Sequence, residues 1–77
     1  MDLTIIKKYI ATYLSSPTTR LTTVDTPQVG IKVVKDEEET FFYPNPTEPA
    51  TFYEEFGKQR YLHRYDSVKK EFTTQEL

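Results

Sequence analysis

Apolar residues first fall at helical spacing near the start of the chain. Leu3, Ile6, Ile10, Tyr13 and Leu14 recur three and four residues apart, Ile5 and Tyr9 widen the stripe, and Lys7, Lys8 and Thr12 lie off it. This period predicts an amphipathic helix from Asp2 to Ser15. Asp2 suits its N-cap and the positive end of its dipole. Pro17 disfavours helical geometry at Ser16 and so ends it.

From there the pattern shifts towards a period of two. Thr18 to Thr26 is rich in β-branched residues and reads as a strand ended by Pro27. Val29 to Lys35 and Thr40 to Tyr43 read as two more, joined by the turn Asp36-Glu37-Glu38-Glu39. Pro44-Asn45-Pro46-Thr47-Glu48-Pro49 breaks both periods and forces a rigid connection. Ala50 to Phe56 then reads as a short helix. Thr47 is its cap, Glu48 and Pro49 suit its first turn, Phe52, Tyr53 and Phe56 form its apolar face, and Gly57 closes it.

The segment from Arg60 to Gln75 fits two periods. Tyr61, Tyr65, Val68 and Phe72 have helical spacing, whereas Tyr61, His63 and Tyr65 alternate with Leu62 and Arg64 as in a strand. Asp66-Ser67 favours a turn, and aromatic residues with threonine favour strands, so the expectation is a hairpin. The fold class is therefore α+β: an N-terminal amphipathic helix packed on an antiparallel sheet of four or five strands, with a short second helix near 50–56, all in one small domain over 1–77.

Composition bounds what such a domain can do. A chain of 77 residues buries only roughly 60–65% of its unfolded surface, so its core is small. Cysteine is absent, which removes disulfides and any thiolate metal site and fits a reducing, cytoplasmic setting. No apolar run approaches the ~20 residues of a membrane span, and the acidic second residue with an amphipathic start predicts no secretory signal.

The net charge of −2 argues against a general nucleic-acid binder, but it hides an uneven distribution. Residues 36–57 carry seven acidic and no basic side chains, and residues 58–70 carry five basic and one acidic. The acidic run 36–39 lacks the alternate spacing and glycine of a calcium loop and reads as a solvated turn.

Catalytic signals are weak. The single histidine, His63, has no cysteine to pair with, and Ser15, Ser16 and Ser67 stand in no nucleophile-elbow context. Gly30 and Gly57 are too far apart to cradle a phosphate. A metal site joining His63 to Asp66, or to Glu54 and Glu55, has no recognised spacing. The sequence thus implies a non-enzyme with no cofactor and no metal.

Binding is better supported. Nine of the eleven aromatic residues lie between Phe41 and Phe72. Tyr9, Tyr13, Phe42, Phe52 and Phe56 suffice for a core, which leaves tyrosines whose broad rings and polar tips suit an interface. In a strand, Tyr61, His63 and Tyr65 share one face. With Arg64, Lys69 and Lys70 they form the candidate partner-binding residues.

The first reading is a protein-interaction module, either an accessory subunit or a stoichiometric inhibitor, meeting another protein with an acidic surface. The second is a single-stranded nucleic-acid-binding sheet using the basic 58–70 segment. The third is a structural homodimer joined through a sheet edge.

Overall fold

The computed structural model describes residues 3–26 and 28–77. Among them one α-helix, α1 (Thr4–Tyr13), precedes six strands: β1 (Arg20–Thr26), β2 (Gln28–Lys35), β3 (Glu38–Pro44), β4 (Thr51–Phe56), β5 (Gln59–Asp66) and β6 (Glu71–Glu76). The strands form one antiparallel sheet in chain order, each paired with the next. The small α+β class is as the sequence predicts, but the sheet has six strands rather than four or five. The helix expected near 50–56 is β4.

Local propensity misleads at 50–56 for a physical reason. The seven residues from Ala50 to Phe56 would make only about two helical turns, too few to repay nucleation. The strands on either side, β3 and β5, each have a backbone edge to satisfy, and β4 fills both. The signals that suggest helix ends serve turns instead. Asn45 Oδ1 accepts hydrogen bonds from the Thr47 N–H at 3.1 Å and the Thr47 hydroxyl at 2.8 Å. Gly57, with φ +59°, opens the two-residue link between Phe56 and Gln59, where a glycine with positive φ suits a type II′ turn.

Helix α1 is shorter than the Asp2–Ser15 expectation, and Asp2 and Pro27 lie outside the described residues. Its end is held by a side chain the period does not reveal: the Thr19 hydroxyl donates to the Leu14 carbonyl at 2.8 Å. Ile6 and Ile10 are buried against the sheet, with Leu3, Ile5, Tyr9 and Leu14 packed around them.

The acidic run splits between turn and strand. Asp36 and Glu37 have φ of 51° and 68°, as a two-residue type I′ hairpin needs, while Glu38 and Glu39 already pair with Lys35 and Val34. At the β5–β6 end the expected hairpin forms, and Asp66 Oδ1 accepts the N–H groups of Val68 and Lys69 at 2.9 and 3.1 Å. Within β2, a Cβ on Gly30 would run into the Phe42 carbonyl, so this position needs glycine for close backbone approach.

The two sheet faces have different fates. Ile31, Val33, Phe42, Phe52 and His63 point to the helix and are buried. Phe72 packs on the same cluster from β6. By strand alternation, Phe41, Tyr43, Tyr53, Arg60, Leu62 and Arg64 point to the other side, which no described helix covers. Among the described residues no helix is long and apolar enough to cross a membrane.

Candidate interaction surfaces of the sheet

Strand β5 carries most of the predicted site, and its alternation divides that site between the faces. Tyr61, His63 and Tyr65 do share a face, but it is the one beneath the helix. His63 is 1% exposed, with the Tyr9 ring 4.5 Å and the Phe52 ring 4.9 Å from its own. It meets its polar partners inside the protein. Tyr65, half-buried, packs on Phe72 at 4.7 Å and takes a hydrogen bond from Lys8 Nζ at 3.0 Å. Arg64 points to the opposite face, where it meets Glu48 at 2.6 Å. Lys69 and Lys70 sit exposed in the β5–β6 turn.

Around His63 runs a short polar chain. Nε2 lies 2.6 Å from Glu54 Oε1, and Nδ1 lies 2.8 Å from Thr74 Oγ1. A carboxylate only accepts, so Nε2 donates to it. Nδ1 of the neutral ring then accepts from the Thr74 hydroxyl. Carboxylate, imidazole and hydroxyl stand in the order used by hydrolytic triads. The same order is also what a buried histidine needs to satisfy both nitrogens. No buried side-chain polar atom among the described residues lacks a partner. The chain ties β4, β5 and β6 together beneath the helix.

The uncovered face bears an arrangement that sequence reading missed. Tyr43, Tyr53 and Leu62 stand opposite one another on β3, β4 and β5, a stripe that crosses the strands. The two tyrosine rings lie 5.4 Å apart. Arg60 stacks its guanidinium 4.9 Å from the Tyr53 ring centre, donates to the Tyr43 hydroxyl at 3.1 Å and pairs with Glu55 at 3.2 Å. The Tyr43 hydroxyl in turn donates to Glu55 Oε1 at 2.5 Å. Burial, and then that bond to a carboxylate, hold the Tyr43 hydroxyl above its ordinary pKa of 10.0.

Beside the stripe Phe41 is 39% exposed. The result is a cluster of tilted rings tied to an arginine and a glutamate. Its signal in the sequence was the odd-numbered half of β3 and the matching half of β4, which a helical reading of 50–56 concealed.

Charge on this face is balanced. Arg20, Lys32, Arg60 and Arg64 share it with Glu39, Glu55, Asp66 and Glu71, as the register dictates. Lys32 approaches Glu39 at 3.9 Å. Arg60 and Arg64 of the basic 58–70 segment are thus interleaved with carboxylates, while Lys58, Lys69 and Lys70 lie in turns. No group of three or more His, Asp or Glu residues among the described ones comes together in a way that could hold a metal ion. Comparison with protein-family models, curated proteins and solved structures yields no match.

Proposed function

We propose that this chain is a non-enzymatic protein-interaction module, an accessory subunit or stoichiometric inhibitor, that docks another protein on the uncovered face of its sheet. The observation that carries this reading is the stripe of Tyr43, Tyr53 and Leu62 with Phe41 beside it, on a face with no described helix over it. Tyrosine and arginine are enriched at the energetic centres of interfaces, and rings already fixed by Arg60 and Glu55 lose little freedom on binding. Six strands ~4.8 Å apart and six to eight residues long present roughly 600 Å2, close to the ~800 Å2 each partner contributes to a standard interface.

The partner is a folded protein with a mixed, near-neutral contact surface. This departs from the acidic partner expected from the 58–70 segment, because Arg60 and Arg64 are already paired with Glu55 and Glu48. Lys69 and Lys70 stand at one end of the same hairpin and act as rim charges that influence association rate more than affinity.

The test is a pair of variants, Tyr53→Ala and Leu62→Lys, in the full chain. Each is checked for native far-UV circular dichroism and then assayed against a partner identified by co-purification with the wild-type protein. Both variants are expected to lose that partner, while Lys69→Ala retains it. Retention by folded Tyr53→Ala and folded Leu62→Lys sinks the proposal.

The tyrosine pair also suits base stacking, which keeps the single-stranded nucleic-acid reading in second place. Oligonucleotide binding with a steep log–log salt slope would favour that reading. Sizing at several concentrations addresses self-association through the open edges at β1 and β6.

A further inference from the structure

On the helix-bearing side, three rings stand around one carboxylate. Tyr61 pairs directly with Glu54 across β4 and β5, Phe56 follows two residues along the same face, and Tyr9 overhangs from α1. Together with His63 and Thr74 these residues line an open depression of about 290 Å3. Phe56 is 37% exposed there, a large ring left in solvent at the mouth of a depression.

The carboxylate on its floor has one ion-pair partner among the described residues, the His63 imidazole. The Glu54 side chain is only 17% exposed, and its one hydrogen bond among the described residues is from His63 to Oε1. No lysine or arginine of the described residues pairs with it. Its charge is felt nearby: the Tyr9 hydroxyl is pushed up to about 12, by burial first and by Glu54 second. The last turn of α1 carries no basic residue, so the negative end of the helix dipole adds to the field. On the other side of Phe56 a second depression, which Glu54 also lines, holds Lys35, where Asp36 and Glu38 outnumber that charge.

We propose that this depression binds a primary alkylammonium group, seated on the Glu54 carboxylate between the rings of Phe56 and Tyr61 with Tyr9 above. Aromatic faces attract a cation through their quadrupole, and the attraction grows where water is partly excluded. The choice of ammonium follows from the hydrogen bonding. A guanidinium binds a carboxylate best through two parallel bonds, and one Glu54 oxygen is already taken by His63. A single remaining oxygen suits the compact point donor of an ammonium. A quaternary ammonium has no N–H to give it. The site lies on the opposite face from the Tyr43–Tyr53–Leu62 stripe, so it stands or falls separately from the docking reading.

The experiment is a titration of the folded, 15N-labelled chain at constant chloride concentration, followed by amide chemical shifts. The probes are n-butylammonium, the methylamide of Nα-acetyl-lysine, n-propylguanidinium and neutral 1-butanol. Saturable shifts at Glu54, Phe56 and Tyr61 are expected from both ammonium probes, with weaker binding of the guanidinium and none of the alcohol. Tighter binding of the lysine derivative identifies a side chain of a partner as the natural ligand, and tighter binding of butylammonium identifies a free amine.

Phe56→Leu should weaken binding about threefold to thirtyfold, and Glu54→Gln at least as much. Because Glu54 also holds His63, Phe56→Leu is the variant that decides if Glu54→Gln unfolds. Absence of saturable shifts with either ammonium probe, equal shifts from 1-butanol, or unchanged affinity in Phe56→Leu would overturn the assignment.

Discussion

Which face of the sheet is core and which is free can be tested with two phenylalanines on adjacent strands. Phe52 on β4 is 1% exposed, and Phe41 on β3 is 39% exposed on the other side. Phe52 lies among rings: His63 at 4.9 Å, Tyr9 at 5.5 Å, and Phe42 and Phe72 at 6.1 Å. Truncating such a residue to alanine costs about 3–5 kcal/mol, as transfer energy plus the cavity left behind. A chain of 77 residues, at ~0.05–0.15 kcal/mol per residue, has roughly 4–12 kcal/mol in total. Phe52→Ala should therefore remove from about a quarter to all of that margin.

Phe52→Leu keeps the comparison measurable, at about 1–2 kcal/mol. With a urea slope of ~1 kcal/mol/M, the midpoint should fall by about 1–2 M. Phe41→Leu should move it by no more than about 0.5 M, because surface changes stay within ~0.5 kcal/mol. The assay is urea unfolding followed by far-UV circular dichroism, with the slope checked for constancy. Equal shifts for the two variants would refute the difference in burial, and a larger one for Phe41→Leu would mean that the faces are reversed. The docking surface proposed above would then be part of the core.

Four further outcomes follow from the same geometry. Thr74→Val should cost about 1–3 kcal/mol by leaving His63 Nδ1 without its hydroxyl, since an unsatisfied buried acceptor loses its desolvation energy; a urea midpoint unchanged from wild type would remove the polar chain from the account. Glu37→Gly should stabilise by about 0.5–1 kcal/mol, because φ of 68° is strained for glutamate and free for glycine, and a lower melting temperature would contradict the turn assignment.

Gly30→Ala should destabilise by more than ~1 kcal/mol through the clash with the Phe42 carbonyl, measured by the same unfolding curves. In alkali, unfolded Tyr9 ionises near 10.0 while the folded residue holds its proton to about 12. The stability it contributes is thus complete below pH 10 and is lost as pH rises towards 12; Tyr9→Phe should flatten that decline, and an unchanged pH profile would refute the cause.

Much of this architecture was written in local pattern. The three-and-four spacing of Leu3, Ile6 and Ile10 is enough to specify an amphipathic helix, because a helix brings those positions to one side. Alternation and β-branching mark β1, β2 and β3, and Asp66-Ser67 marks the last hairpin. These features depend only on neighbours along the chain. The segment 50–56 does not. Its caps and closing glycine read as a helix, and only the demand of two flanking strands for a partner made it β4.

The candidate site shows the same division. That Tyr61, His63 and Tyr65 share a face followed from the period of two. Which face the helix would cover could not follow, because a strand's alternation defines two sides without saying which is inside. The docking of Ile6 and Ile10 decided it, burying His63 and leaving Tyr43, Tyr53 and Leu62 outward. The charge pattern was settled in the same way. Acidic 36–57 and basic 58–70 are separate blocks in the chain, but antiparallel pairing sets Glu55 against Arg60 and brings Glu48 to Arg64. Sequence order could suggest a dipolar molecule, while long-range pairing made a balanced face.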